Sequence, residues 1–78
     1  MLPNVVEVSV RPELHLELRF RSGEVKVFDA RPYLNVGRYL ELLDERLFAQ
    51  AKVVLGTVEW PNGLDFDPED LYELSAPV

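Results

Sequence analysis

Between Val6 and Val27 apolar and polar side chains alternate with a period of two, the pattern of a sheet with one buried and one wet face. Val6, Val8 and Val10 alternate with Glu7, Ser9 and Arg11; Leu14, Leu16, Leu18 and Phe20 with His15, Glu17, Arg19 and Arg21; Val25 and Val27 with Glu24 and Lys26. A two-residue hairpin loop at Ser22-Gly23 sets Phe20 opposite Val25 and Leu18 opposite Val27, with Arg21 facing Glu24 and Arg19 facing Lys26. The first hairpin needs an odd loop to keep the faces apart. With Arg11-Pro12-Glu13 as that loop, Val10 pairs with Leu14, Val8 with Leu16 and Val6 with Leu18, and Ser9 comes opposite His15.

The middle of the chain turns helical. Pro32 cannot donate to a ladder and ends the third strand. Gly37 precedes a short helix expected over Arg38–Leu43, with Tyr39, Leu40, Leu42 and Leu43 toward the sheet. Asp44 caps a second turn of helix, Glu45–Ala49, that buries Leu47 and Phe48. Strands are expected at Val53–Leu55 and Thr57–Trp60, then a turn at Trp60-Pro61-Asn62-Gly63 and a short strand at Leu64–Phe66. Asp67 caps a closing helix that begins with Pro68, has Glu69 and Asp70 at its positive end, and packs through Leu71, Tyr72 and Leu74. The expected fold is a single α+β domain over residues 1–78: an antiparallel sheet of five or six short strands with two or three helices on one face.

Size and composition bound the chemistry. Seventy-eight residues, 47% of them hydrophobic, bury roughly 60–65% of the unfolded chain's surface. There is no cysteine and one histidine, which excludes thiolate metal sites and disulfides. No apolar run is long enough to span a membrane, and the N-terminus lacks the regions of a signal peptide, so the expected compartment is the cytoplasm. Net charge is −6, unevenly spread. Residues 1–40 hold six basic and five acidic side chains, residues 41–78 two and nine, and no base follows Trp60. Such a surface repels phosphate backbones and anionic membranes and suits a basic protein partner.

A specific pattern runs along most of the chain. Phe20-Arg-Ser-Gly-Glu, Val27-Phe-Asp-Ala-Arg-Pro-Tyr-Leu, Leu47-Phe48 and above all Gly56-Thr-Val-Glu-Trp-Pro-Asn-Gly-Leu-Asp-Phe-Asp-Pro-Glu-Asp-Leu-Tyr resemble the domain of unknown function 2442. The resemblance implies a small bacterial α+β domain without established catalytic residues. Some members carry a C-terminal helix-turn-helix domain, and no such extension follows Val78 in this sequence. Others are encoded beside another small protein, which implies antitoxin-like pairing.

Three constellations have the residue types of a functional site. Asp65, Asp67, Glu69 and Asp70 are a dense carboxylate cluster, but as a calcium loop starting at Asp65 it has Asp70 where glycine is needed and Ala76 where glutamate is needed. A capped helix start accounts for these residues without a metal. Ser9, His15 and Glu17 share the wet sheet face and the chemistry of a nucleophilic triad, yet a flat sheet offers no oxyanion donors and no pocket. Arg11, Arg19, Arg21 and Lys26 share that face too, neutralised by Glu7, Glu17 and Glu24, with Phe28 the one aromatic for base stacking. The residues therefore suggest no catalytic group, no metal and no cofactor. They suggest an interaction module that binds a small protein or a second copy through Glu69, Asp70, Glu73, Tyr33 and Tyr39. The alternatives are an accessory domain of a transcription regulator, touching nucleic acid through Arg19, Arg21 and Lys26, and a small-ligand binder.

Overall fold

The alternating segments form β1 (Val5–Arg11), β2 (His15–Phe20) and β3 (Val25–Asp29) in a computed structural model, which describes residues 3–78. Short 3-10 helices at Arg31–Tyr33 and Gly37–Leu43 lead into α1 (Glu45–Phe48). Then come β4 (Lys52–Val54), β5 (Thr57–Glu59), β6 (Asp65–Phe66), α2 (Pro68–Leu74) and β7 (Ala76–Pro77). The class is α+β, as expected, but the strands form two antiparallel sheets, ordered β1-β2-β3-β7 and β4-β5-β6. β7 takes the outer edge of β3, with Val27 opposite Ala76 and Lys26 opposite Pro77, and β4, β5 and β6 pair only among themselves. Nothing in the alternation of apolar residues announces so short a closing strand.

Registers differ from expectation at both hairpins. Between β2 and β3 the loop holds three residues. The Gly23 amide donates to the Phe20 carbonyl and the Phe20 amide to the Glu24 carbonyl, both at 2.8 Å, with Gly23 at φ 95°. This is a type I turn closed by a left-handed glycine, which a residue with a side chain adopts only with strain. Glu24 rather than Val25 therefore faces Phe20, Lys26 faces Leu18 and Arg19 faces Val25. The shift by one exchanges the faces of β3: Lys26 and Phe28 turn inward, while Val25 and Val27 lie half-exposed on the outer face. The first hairpin is displaced by two. Arg11 faces His15, Val10 faces Leu16 and Ser9 faces Glu17. Apolar parity cannot separate registers two residues apart, because both keep Val8, Val10, Leu16 and Leu18 on one face. A bulge between Val5 and Glu7 then puts Val5 in the core and leaves Val6 exposed.

The helical pieces follow their local signals. Asp44 accepts from the Arg46 amide at 2.9 Å and Asp67 from the Glu69 amide at 2.9 Å, capping α1 and α2 as their positions predict. Gly37–Leu43 winds as a 3-10 helix, whose three residues per turn stack Leu40 over Leu43 on the outside and bring Tyr39 and Leu42 inward. Leu40 and Leu43 are consequently exposed instead of lying on the sheet, and so is Leu74 at the end of α2.

Both sheets share one core. Phe28 of β3 meets Phe66 of β6 edge-on with centroids 5.3 Å apart, and Phe66 meets Trp60 at 5.8 Å. Trp60 meets Phe48 of α1 at 5.6 Å, and its indole N–H donates to the Phe48 carbonyl at 2.9 Å. Leu16, Leu18, Phe20, Leu34, Leu42, Val58 and Leu71 close the cluster. Tyr72 joins it through Phe20, edge-on at 5.1 Å.

Candidate functional site

A groove of about 740 Å³ lies between the β2–β3 turn, the outer side of α2 and the segment entering β1. Its walls are Arg21, Ser22 and Glu24 from the turn, Glu69, Tyr72 and Glu73 from α2, and Pro3 and Asn4. Residues 69, 72 and 73 stand three and four apart, so one helix face presents all of them. The pivot is Tyr72. Its hydroxyl donates to both carboxylate oxygens of Glu24 at 2.9 Å, and Ser22 Oγ donates to the same carboxylate at 3.1 Å. Donation to Glu24, aided by burial and the nearby negative charge, raises the phenol above its ordinary value and keeps it protonated.

Beneath this wall lies Lys26, only 8% exposed. Its ammonium donates to the Tyr72 carbonyl and sits 3.8 Å from the centroid of the Tyr72 ring. It therefore supports the last turn of α2 and offsets the dipole at that end. Phe28 is fully buried. The surface expected for nucleic acid is thus dismantled: Lys26 and Phe28 point into the core, Arg19 lies 3.8 Å from Glu7, and Arg21 stands in a groove with carboxylates.

Ser9, His15 and Glu17 do not converge either. Ser9 is opposite Glu17 while His15 is opposite Arg11. The His15 ring donates from Nδ1 to the Glu13 carbonyl at 2.9 Å and holds Nε2 3.7 Å from Asp29. Asp29 is clasped by Arg31, whose Nε and Nη2 lie 3.0 and 2.9 Å from its two oxygens, and Arg31 extends to Glu13 at 3.4 Å. Among the described residues no three His, Asp or Glu side chains come together as a metal site. Among the described residues, too, no helix is long and apolar enough to cross a membrane.

Of the residues singled out for a partner, Glu69 and Glu73 line the groove, whereas Asp70, Tyr33 and Tyr39 lie elsewhere. Tyr33 stacks on Phe28 at 5.5 Å and stays partly exposed. Tyr39 donates its hydroxyl to the Asp65 carbonyl at 2.8 Å and is half-buried. Glu24 and Tyr72 were not anticipated as groove residues. The turn at Trp60 holds the signal that would have found Glu24. There, too, the glycine amide donates to the carbonyl three residues back and the residue after glycine closes the pair, at 2.9 Å each. The same glycine-terminated pattern, Phe20-Arg-Ser-Gly-Glu, fixes the register that brings Glu24 under Tyr72.

Comparison with known families settles the kinship of the chain. The model of a family described as a protein of unknown function, DUF2442, matches residues 5–77. The chain belongs to this family. Its match spans all seven strands of the DUF2442 fold seen here, from Val5 in β1 to Pro77 in β7. No curated protein and no solved structure matches the chain. The groove of this DUF2442 chain is therefore understood from its own chemistry.

Proposed function

We infer that the chain is a protein-interaction module with no catalytic step of its own, and that the groove beside α2 is its contact surface. The observation that carries this reading is the convergence of Glu24, Glu69 and Glu73 around Tyr72, with Arg21 the basic side chain in the lining and Lys26 buried beneath it. A concave wall of like charge raises the local concentration of a cation-bearing segment and steers its approach. Tyr72 adds a rigid aromatic surface of the kind that anchors interfaces. The partner is a small protein with a basic segment, and antitoxin-like pairing with such a protein is the form of interaction that the family resemblance implies.

The experiment is affinity capture of the tagged chain from its native cells, repeated with Glu69→Lys and Glu73→Lys combined. Both residues are exposed, so the variant keeps the native circular dichroism spectrum. A stoichiometric small basic protein, retained by the native chain and lost from the variant and at high salt, supports the reading. A partner held equally by both chains places the contact elsewhere. Recovery of the chain alone, with capture shown to work on a control, removes stable pairing altogether.

A further inference from the structure

β1 is an edge strand of its sheet, and the hydrogen bonds that β2 makes to β3 fix which backbone groups of β1 are free. Phe20 bonds Glu24 and the Ala30 amide donates to Leu14, so the even-numbered residues of β2 direct their backbone groups toward β3. His15, Glu17 and Arg19 therefore bond to Arg11, Ser9 and Glu7. The amides and carbonyls of Val8 and Val10 point the opposite way, out of the sheet. Val5 donates to the Gly56 carbonyl at 2.8 Å, and among the described residues no backbone group from Val6 to Arg11 bonds to anything outside β2. Such an edge is a template for another strand, and no proline or inward-pointing charge blunts it between Val6 and Arg11.

We propose that a second copy of this chain covers that edge, with two β1 strands pairing antiparallel about a two-fold axis at Ser9. In this register Val8 and Val10 of one copy exchange main-chain bonds with Val10 and Val8 of the other. Glu7 of each copy faces Arg11 of the other as a non-hydrogen-bonded pair, the arrangement that brings side chains closest. Ser9 meets itself at the axis, where its small side chain lets the strands approach. Charge selects this register over its neighbours. Centring on Val8 sets Glu7 against Ser9, and centring on Val10 sets Glu7 against Glu13 of the second copy. Glu7 already lies 3.8 Å from Arg19, and Arg11 lies 3.1 Å from Glu17, so the new pairs continue a face of alternating charge. The half-buried Val8 and Val10 come together on the opposite face. The product is one sheet of eight strands, four from each copy, joined by an isologous contact. This surface involves none of the groove residues, so it stands or falls independently of the partner site.

The test is sedimentation equilibrium of the full chain over a concentration series. The native chain is expected to reach twice the 9.0 kDa of one copy. Glu7→Arg and Arg11→Glu, made singly, each place like charges at both two-fold-related contacts and weaken dimerisation roughly ten- to a hundredfold. Mixing the two variants restores it, because one then carries basic side chains at both positions and the other acidic ones. Val10→Pro removes an outward-facing donor that the fold does not use. It yields a monomer with the native circular dichroism spectrum. Should Val10→Pro lose that spectrum, the exposed charge variants and their mixture still decide. A native chain that stays at one copy into the millimolar range overturns the proposal. So does a dimer indifferent to both charge substitutions, or a mixture no stronger than its components.

Discussion

Asp29 shows how one residue can link fold to solution conditions. It ends β3 and accepts from both the Arg31 guanidinium and the Arg31 amide, at 2.9–3.0 Å. The guanidinium bond is the main reason its carboxyl lies below the ordinary value of 3.8. Burial opposes the shift, and the Arg31 amide and the charges of His15 and Arg31 reinforce it. A depressed carboxyl stabilises the fold at every pH above its unfolded value, and that contribution fades as pH falls through the folded value. Asp29→Asn should therefore unfold at lower denaturant than the native chain at neutral pH, and the gap should close as pH drops below about 4. Because 37% of the side chain is exposed, solvent screens the pair and the gap is modest. A gap that stays constant down to about pH 2 would mean that Asp29 acts through its shape and not its charge. Lys26 makes the complementary point: a charged side chain at a position that alternation assigns to water is instead covered by Tyr72, its ammonium satisfied by a carbonyl and an aromatic face.

At the scale of elements, the turn between β4 and β5 carries unreturned strain. Leu55 adopts φ 49° and Gly56 φ 84°, the pair of positive angles that a type I′ turn requires. Leucine in that region costs about 1–2 kcal/mol, and a side chain 98% exposed recovers nothing by packing. Leu55→Asn should raise stability by about 1 kcal/mol in equilibrium denaturation, since asparagine tolerates this conformation. A loss of stability instead would show that the leucine is held by a contact, such as one with another chain. Elements whose cause lies within three or four residues were legible in the sequence: the Asp44 cap, the Asp67-Pro68 start of α2 and the Pro61-Asn62-Gly63 turn. What was missed is partly local, in loop type and helix winding, and partly long-range, in the pairing of β7. One residue added to the Ser22-Gly23 loop inverts β3, the 3-10 winding turns Leu40 and Leu43 outward, and β7 forms only because β3 has an open edge. The site divides in the same way. Glu69 and Glu73 were visible as neighbours on α2, while Glu24 joins them only through the β2–β3 register.

For the whole molecule, the question is whether two sheets behave as one. Phe28 belongs to one sheet and Phe66 to the other, and their edge-on contact leads on to Trp60 and Phe48. A core held in common predicts a single unfolding transition. Trp60, the sole tryptophan, reports on β5 and its surroundings by fluorescence, whereas far-ultraviolet circular dichroism reports on the backbone of both sheets. At one fixed protein concentration the two denaturation curves should coincide. Phe28→Ala sharpens the test, because it removes a fully buried ring at a cost of about 3–5 kcal/mol, against a total of roughly 4–12 kcal/mol for a chain of this size. If the sheets unfold together, the substitution in β3 shifts the Trp60 fluorescence midpoint as far as the dichroism midpoint. If the dichroism curve alone moves, β4–β6 hold together without β1–β3, and the aromatic bridge is a contact between two units and not the centre of one.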